Sequence, residues 1–525
     1  MKNVLRFLKS CRGLGLLIVL AGLSGARADV RLPRIFTDNM MLQRAQPICV
    51  WGSAAPGESV KVTLAGQEAS AAADAEGKWT VKLPALKQGE NLELTVAGKN
   101  TLVVKNVIMG DIWLCSGQSN MEMQLNGCNA PEDVKNANFP KIRRVKFNHV
   151  TAADPQDEAS LVKPWEACTP QTAGDFSAAG FYFAREISQR TGVPIGILDC
   201  NWGGTPIEPW VAPAGLEQVP ELKDEITKRL NAMAAYRSEL PKALDNMEKW
   251  VAAARLALQS GARVLPQSPL PPDPAASGWY SMYNAMVHPL VRLPIKGALW
   301  YQGESNGGEG ISYYHKMNAL ISGWRQVWGQ GDFPFYYVQL ANWVADSKAP
   351  AGGDGWSNLR NAQTKALALP NTGMAVIIDI GDANDIHPKN KYDVGLRLAR
   401  WALARDYGQK DLVVSGPLYR DLKIAEGKIR LSFEQVGSGL IVGKKNGLAP
   451  VVEDKTGKLQ RFAVAGADKV WHWADAVIDG ATVVVSSPEV KEPVAVRYAY
   501  SQNPEGANLY NKEGLPASPF RSDDW

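Results

Sequence analysis

The sequence predicts an α/β protein, in which a parallel sheet carries helices on both faces and β-rich segments precede and follow it. Between positions 106 and 411, short apolar runs alternate with segments of helical periodicity, a pattern typical of a parallel sheet. Outside this region, short stretches alternate apolar and polar residues, which is typical of antiparallel strands. The apolar runs cover residues 107–115, 142–147, 193–200, 295–301, 333–340 and 374–380.

The first 28 residues have the features of a secretory signal peptide. Four basic residues precede position 13, an apolar core covers residues 14–23, and Ala26-Arg27-Ala28 forms an A-x-A cleavage site. The apolar core is too short to span a bilayer comfortably, and no cysteine follows it to accept a lipid. We therefore expect a secreted or periplasmic protein without a membrane anchor.

The charge of the mature chain argues against two classes of partner. Removal of residues 1–28 takes away five basic residues and no acidic ones, so the formal net charge falls from +4 to −1. A nearly neutral chain is not expected to bind nucleic acid or an anionic membrane surface as its main partner. The sequence leaves the oligomeric state open.

Residues 29–105 predict a small N-terminal β-sandwich, because alternating stretches at 48–52, 60–64, 79–83 and 92–96 are separated by turn residues. Its role is either structural or carbohydrate-binding. The same texture returns in residues 412–525, which predict a C-terminal β-rich module. The α/β region between them, 106–411, carries a helical insertion at about 212–277, which would either wall the site that we expect at the strand ends or pack outside it as a hairpin.

Five cysteines remain after the predicted cleavage. Cys128 and Cys168 could form a disulfide in an oxidising compartment, although the sequence cannot decide this. Cys115 and Cys200 end apolar runs, so we expect them to be buried thiols.

Ser119 is the candidate nucleophile. It lies where the apolar run 107–115 breaks at Gly117 and a helix-like segment follows. A sharp strand-to-helix turn lifts a side chain clear of the sheet and points the following amides at a bound group. The alternative is that Ser119 only caps the helix.

His387 is the candidate general base, since it follows the apolar run 374–380 at the carboxyl end of the sheet. Asp385 precedes it by two residues and could orient the ring. His288 is its competitor, but it follows a helix-like stretch. The other histidines, His149, His315 and His472, have no comparable setting.

Two further strand ends offer donors for a developing oxyanion. Gly203 and Gly204 allow a backbone amide to approach a substrate closely, and the loop from Tyr301 to Asn306 carries amide side chains. Taken singly, each is ordinary loop composition. We find no zinc-ligand spacing, phosphate loop or dinucleotide motif, so we expect neither a metal nor a cofactor.

Four segments, in this order along the chain, resemble the blocks of the SGNH-hydrolase superfamily. They are Gly117-Gln118-Ser119-Asn120-Met121, Trp202-Gly203-Gly204-Thr205, Trp300-Tyr301-Gln302-Gly303-Glu304-Ser305-Asn306 and Asp385-Ile386-His387-Pro388. The resemblance is to the sialate O-acetylesterase branch and its polysaccharide acetylesterase relatives, and it covers nearly all of the mature chain. It implies a three-layer α/β/α, flavodoxin-like domain.

The resemblance also implies roles for individual residues. Ser119 would be the nucleophile and His387 its base, with an oxyanion hole made by the amides of Ser119 and of Gly203 or Gly204 and by the Gln302 side chain. Many members have an aspartate three residues before the histidine, where this chain has Asn384, so the orienting group is Asp385, Asp382 or a backbone carbonyl. Trp202, Glu304 and Asn306 would contact the sugar.

The sequence thus predicts a carbohydrate O-acetylesterase, foremost a sialate 9-O-acetylesterase, acting on an O-acetylated sugar. An esterase for acetylated xylan or xyloglucan is the alternative within the enzyme class, and a secreted, non-catalytic carbohydrate-binding protein is the alternative outside it. A sialate carboxylate calls for a cation, and Arg360, Lys389 and Lys391 are nearest in sequence to the strand-end loops.

Overall fold

The structure is a computed structural model that describes residues 29–269 and 278–525. The predicted signal peptide lies outside the described residues, as does most of the proline-rich end of the predicted insertion. The division into domains predicted from the sequence stays a prediction, and the elements are described here in chain order.

Six short strands open the chain, and their alternation follows the sequence pattern. In the third strand, for example, Val60, Val62 and Leu64 are buried while the residues between them face outward. The second strand pairs with the fifth, and the third pairs with the fourth and the sixth, all antiparallel. The strands are β1 (Met41–Gln43), β2 (Ile48–Ser53), β3 (Ser59–Leu64), β4 (Gln67–Ala72), β5 (Lys78–Leu83) and β6 (Leu92–Ala97).

One long strand, β7 (Thr101–Gly117), joins this region to the central sheet. Its first half pairs antiparallel with β6, and its second half lies in the middle of a parallel sheet. The boundary predicted at 105/106 therefore falls within a continuous strand.

The central sheet is parallel except at one edge, where β8 and β9 pair antiparallel. Its strand order is β13-β12-β11-β7-β10-β8-β9. The added strands are β8 (Phe139–Phe147), β9 (Leu161–Cys168), β10 (Ile195–Asn201), β11 (Gly297–Tyr301), β12 (Phe335–Val338) and β13 (Thr372–Ala375). Alternating apolar and helical segments in the sequence thus correctly predicted a mainly parallel sheet.

Alternate residues of β7 contribute to two separate cores. Trp113 and Cys115 pack in one core, and Ile112 and Leu114 pack in the other. The first core includes residues of α3 and α8, and the second includes residues of α4, α6 and α7. The helices are α1 (Ser119–Glu122), α2 (Pro131–Lys135), α3 (Ala178–Thr191), α4 (Pro213–Leu216), α5 (Lys223–Gln259), α6 (Ile311–Trp328), α7 (Gly355–Lys365) and α8 (Lys391–Arg405).

Short helical turns fill several connections. One is a π-helical turn, Tyr283–Val287. The others are 3₁₀ turns at Leu125–Cys128, Ala173–Asp175, Glu208–Trp210, Pro220–Leu222, His288–Leu290, Glu304–Asn306 and Ala366–Ala368.

The insertion is dominated by α5, a single helix of 37 residues that continues through Pro241. It is not the helical hairpin that was one of the two alternatives. Several of its apolar side chains, including Leu230, Leu244 and Leu256, are exposed. Among the described residues, no helix combines the length and the apolar character needed to cross a membrane.

The chain ends in antiparallel strands with a core of their own, which includes Ile429, Val483 and Val496. These strands are β14 (Leu418–Ala425), β15 (Lys428–Glu434), β16 (Leu440–Lys444), β17 (Val452–Glu453), β18 (Phe462–Ala465), β19 (Trp471–Trp473), β20 (Asp475–Asp479), β21 (Thr482–Ser486), β22 (Ala495–Tyr498), β23 (Leu509–Asn511) and β24 (Phe520–Arg521).

The cysteines of the described residues are free thiols, so Cys128 and Cys168 do not pair. Both are buried, as are Cys115 and Cys200.

Candidate active site

Ser119 lies at a sharp turn between β7 and α1. Gly117 ends the strand with φ +133°, and a Cβ atom there would come within 2.2 Å of the Tyr301 carbonyl oxygen, so the position requires glycine. The backbone N–H of Gln118 donates to that same carbonyl oxygen, at 3.0 Å. The N-cap position of α1 is Gln118, and Ser119 is the first helical residue. Ser119 is therefore not the cap that the alternative required.

His387 approaches Ser119 from the loop that follows β13. Its Nε2 lies 2.8 Å from Ser119 Oγ, although the two residues are 268 positions apart. The loop is longer than the sequence suggested, because β13 ends at Ala375 and the apolar residues after it are not strand. The turn after one strand and the loop after another thus meet at one edge of the sheet.

The other imidazole nitrogen faces Asp385. Nδ1 lies 3.2 Å from Asp385 Oδ1, which also accepts the backbone amide of His387 at 2.9 Å. The amide of His387, together with Lys389, lowers the pKa of Asp385 against the effect of partial burial. Asp382 instead accepts the amide of Asn384 in an exposed part of the loop. Among the three predicted alternatives, Asp385 is the group in contact with the ring.

Gly203 lies next to the serine, but its backbone amide already has a partner. A Cβ atom on Gly203 would come within 3.2 Å of Ser119 Cβ, so the two backbones nearly touch. Gly203 donates its amide to Glu122 Oε2 at 2.7 Å. Gly204 follows with φ +74°, a conformation that favours glycine.

Gln302 is not placed as the resemblance implied. The side chain is fully buried, and its Nε2 donates to Asn306 Oδ1 at 2.7 Å and to Gln118 Oε1 at 3.1 Å. Its Oε1 accepts the hydroxyl of Tyr313 at 2.7 Å. Since these bonds use both amide hydrogens, the expectation of a Gln302 donor in the oxyanion hole is corrected: the residue supports the loops from beneath.

Two of the three predicted sugar contacts are also directed inward. Asn306 is buried, and its side-chain amide donates to Glu208 and Glu309. The expectation that Asn306 contacts the sugar is therefore also corrected. Glu304 accepts the side-chain amide of Asn120 at 2.5 Å, and burial raises its pKa. Glu304 is therefore also a support rather than an open contact.

Trp202 is the predicted sugar contact that stays at the surface of the site. Its half-buried indole stacks on the imidazole of His149, with 4.8 Å between ring centroids and 7° between planes. His149 in turn lies 2.8 Å from Glu122 Oε1. The sequence gives no reason to single out His149, but Glu122 stands three residues after Ser119 on the same short helix, a spacing that brings side chains together and that could have identified it.

The three cations named for a sialate carboxylate have other partners. Arg360 is fully buried and donates to four backbone carbonyls, those of Leu340, Ala341, Ser501 and Gln502. Lys391 is also fully buried. Lys389 is half-exposed and pairs with Asp385 Oδ2 at 3.1 Å. None of the three is thus a free cation facing the serine.

A metal site is not formed in the part of the chain that the structure describes. Within residues 29–269 and 278–525, no group of three or more histidine, cysteine, aspartate or glutamate side chains is arranged to hold an ion.

Known proteins resemble this chain over most of its length. The family described as carbohydrate esterase, sialic acid-specific acetylesterase, matches residues 109–244 and 275–404. Sialate O-acetylesterase of Rattus norvegicus is 31% identical over 455 residues, covering 78% of this chain and 80% of the relative. The Homo sapiens sialate O-acetylesterase is 30% identical over an alignment of 560 residues, covering 97% of this chain and 95% of the relative.

A solved structure resembles it in fold as well. The crystal structure of a novel carbohydrate acetylesterase from Xanthomonas citri has 38% sequence identity and a TM-score of 0.78, covering 94% of this chain and 100% of that one. These relatives are enzymes, so the non-catalytic alternative is set aside. The chain belongs to the sialic acid-specific acetylesterase family of carbohydrate esterases and is a carboxylic ester hydrolase.

Proposed function

We propose that the chain removes acetyl esters from sugars by serine catalysis, with Ser119 as the nucleophile and His387 as its base. The observation that carries the proposal is the 2.8 Å separation of Ser119 Oγ and His387 Nε2. A hydroxyl is a weak nucleophile unless a neighbouring base takes its proton, and this distance is within hydrogen-bond reach.

The proposed fold is the three-layer SGNH arrangement, with one core on each face of the sheet.

The reaction would take two steps. His387 accepts the Ser119 proton while the oxygen attacks the acetyl carbonyl, and the imidazolium then protonates the departing sugar oxygen. In the second step His387 takes a proton from water, which attacks the acetyl-enzyme; the bond to Ser119 Oγ then breaks, the imidazolium returns the proton to that oxygen, and acetate is released. Asp385 would hold the ring with Nδ1 protonated, so that Nε2 is the nitrogen that accepts.

The oxyanion would be stabilised by the backbone amides of Ser119 and Gly204. The amide of Gly203 could join them only after the Glu122 carboxylate leaves it, since Glu122 Oε2 accepts that amide at 2.7 Å. Glu122 therefore stands beside the place where negative charge would develop.

The test of this mechanism is Ser119→Ala. Its turnover of an aryl acetate should fall by a factor on the order of 10⁴ or more, while its circular dichroism and melting temperature stay unchanged. Ser305→Ala is the matched control, because Ser305 is an exposed serine in a neighbouring strand-end loop. Wild-type turnover by Ser119→Ala would refute the mechanism.

For the substrate, the family supports an O-acetylated sialic acid, specifically a 9-O-acetyl ester. The fate of the three candidate cations supports a second candidate, the acetyl ester of a neutral polysaccharide such as xylan or xyloglucan. Arg360 and Lys391 are buried and Lys389 is paired, so a carboxylate would find few partners among them. The half-buried Trp202 indole and the exposed His149 ring instead offer a flat surface on which a neutral sugar could stack.

Acetate release decides between these substrates. The two assays would use 9-O-acetylated sialic acid and acetylated xyloglucan at equal ester concentration. A higher kcat/KM on the sialate would support the first candidate, and a higher value on the polysaccharide would support the second.

For the location, we propose export through the predicted signal peptide, to the periplasm or outside the cell. Amino-terminal sequencing of protein recovered from cell fractions should begin at Asp29. Recovery of the uncleaved chain in the cytoplasm would contradict export.

A further inference from the structure

A lysine amino group lies buried directly beneath the two loops that carry Ser119 and His387. Lys391 is the first residue of α8, four positions after His387, and its side chain has no exposed surface. Long lysine side chains normally extend their charge to water, so a fully buried one needs a specific reason.

The ammonium bonds to both loops at once. Lys391 Nζ donates to the carbonyl oxygen of Pro388 at 2.6 Å and to Asn120 Oδ1 at 2.7 Å. It also lies 5.4 Å from the centre of the Tyr301 ring. Pro388 follows His387 and Asn120 follows Ser119, so one charged group contacts the neighbours of both proposed catalytic residues.

Asn120 completes the connection from the other side. Its Nδ2 donates to the carbonyl oxygen of Ile386 at 3.1 Å and to Glu304 Oε1 at 2.5 Å. The carbonyls before and after His387 are therefore both held, one by Asn120 and the other by Lys391. The segment that carries the imidazole is fixed relative to the helix that carries the serine.

The charge of this lysine is not offset by a direct ion pair. Among the described residues, no carboxylate oxygen lies within 4.0 Å of Lys391 Nζ. Glu304 is linked to it through Asn120, and Asp385 acts on it only electrostatically, without contact. Burying a cation in this way costs stability, and an apolar side chain of similar length would avoid the cost. A charge buried at such a cost points to a function rather than to stabilisation of the fold.

We infer that Lys391 is a positioning residue for the esterase reaction, which through Asn120 and Pro388 holds the imidazole of His387 at attacking distance from Ser119. The inference rests on the proposed function, since it concerns the alignment of that pair. It predicts a loss in kcat rather than in KM, because Lys391 is buried beneath the loops and does not face the substrate.

The protonation of Lys391 supplies a readout that a purely structural role would not. Burial lowers the pKa of Lys391 to about 8, with opposing contributions from Cys128, Glu304 and Asp385 and a further lowering by Lys389. Tyr301, whose ring centre lies 5.4 Å from Nζ, is a further titratable group that faces it. Deprotonation above this pH removes the charge that attracts the two oxygens, so kcat should decline on the alkaline side.

The experiment compares Lys391→Met with Lys445→Met on an aryl acetate. Lys445 is the control because its side chain is also largely removed from solvent and reaches α8, where it pairs with Asp393 at 2.5 Å, but it is bonded to neither loop. Lys391→Met should lose about 10- to 100-fold in kcat with KM within about twofold of wild type, the size expected for a misaligned catalytic pair. Lys445→Met should keep kcat within about twofold.

Two further measurements strengthen the test. The alkaline decline in kcat should be present in wild type and in Lys445→Met and absent from Lys391→Met. Adding Asn120→Ala to Lys391→Met should cost no more than the larger single loss, because residues that act as one unit are not additive.

Wild-type kcat in folded Lys391→Met would overturn the inference and leave the proposed function untouched, whereas an active Ser119→Ala would overturn both. If Lys391→Met does not fold, the pH dependence of kcat in wild type and in Asn120→Ala tests the inference instead. A wild-type kcat that stays constant to pH 9.5 would then overturn the inference, and an alkaline decline that Asn120→Ala abolishes would support it.

Discussion

Lys316 and Lys391 are both buried beneath strand-end loops, and their surroundings are opposite. Lys316, on α6, pairs with two carboxylates, Glu208 and Glu309. Burial opposes its charge, but the two carboxylates outweigh burial and raise its pKa. Lys391, on α8, contacts two uncharged oxygens, and burial lowers its pKa to about 8. The same residue type is thus stabilised as a cation in one region and destabilised in the other.

The difference in pairing distinguishes a lysine that stabilises a loop from one that aligns the two proposed catalytic residues. The Lys316 cluster holds Asn306, whose side chain accepts the amide of Gln302, so it stabilises the loop that follows β11. The Lys391 contacts hold the segments that bring His387 to Ser119. Removing one partner of a buried ion pair is strongly destabilising because the other charge is left without a counter-ion, whereas an unpaired buried charge lowers stability for as long as it stays charged.

The largest effect is expected where a paired charge loses its partner. Lys316→Met should lower the free energy of unfolding by up to about 3–5 kcal/mol, because the partly buried carboxylates of Glu208 and Glu309 then lose their counter-ion. Urea denaturation measures this. Lys228→Met is the control, since Lys228 and Glu225 form a solvent-exposed pair, and it should cost less than about 1 kcal/mol. Equal losses in the two variants would show that the Lys316 cluster is not a structural support.

The unpaired lysine should show itself in the pH dependence of stability. The folded-state pKa of Lys391 is about 8 and its ordinary value is 10.5, so between these values the unfolded chain binds the extra proton. Stability from this group therefore rises as pH rises from 8 to 10.5, by up to about 3 kcal/mol.

The rise is measured as the difference in urea midpoint between wild type and Lys391→Met at each pH from 8 to 10.5. The contributions of all other titrating groups cancel in that difference. Lys391→Met should gain relative stability at pH 7, where wild type carries the cost of the charge. A difference that does not vary with pH would mean that Lys391 titrates in the folded state as it does in water.

A smaller effect is expected for the acid that faces His387. Asp385 is about one-third exposed, and its oxygen is 3.2 Å from Nδ1. Asp385→Asn should therefore reduce kcat by only about 10- to 100-fold, or about 1.4–2.7 kcal/mol of transition-state stabilisation. The fold should be unchanged by circular dichroism. Asp382→Asn is the matched control, and a larger loss in the control would transfer the orienting role to Asp382.

The smallest effect is expected for the exposed pair beside the site. Lys389 lies 3.1 Å from Asp385, and both side chains are partly exposed to solvent. Lys389→Met should change the free energy of unfolding by less than about 1 kcal/mol.

Lys389 also helps to lower the pKa of Asp385. Its removal should therefore raise that pKa, which the carboxyl carbon chemical shift of Asp385 followed against pH measures. A pKa that falls in Lys389→Met would show that Lys389 does not stabilise the Asp385 carboxylate.

The sequence predicted the positions of Ser119, His387 and Asp385 because each lies at the carboxyl end of an apolar run. The carboxyl ends of parallel strands meet at one edge of the sheet. The proximity of two residues 268 positions apart could therefore be predicted from the periodicity of the sequence alone. Resemblance to a family supplied the acetyl ester chemistry. Periodicity also identified the β-rich ends of the chain, although it placed a domain boundary within the continuous strand β7.

The errors share a different cause. Gln302, Asn306 and Glu304 lie in the correct loop, but their side chains turn inward to partners on other elements. Glu304 accepts from Asn120, 184 positions away, and the sequence contains no signal for that contact. Arg360 and Lys391 were considered as cations for a carboxylate, yet both are buried on backbone carbonyls.

By itself, then, the sequence determined which segments form strands and helices and which loops gather at the edge of the sheet, because burial imposes periods of about two and 3.6 residues that can be read along the chain. The tertiary structure alone decided which polar side chains in those loops face the substrate and which bond to one another. That choice depends on hydrogen-bond partners and burial contributed by distant elements. Such partners are fixed only when the elements pack.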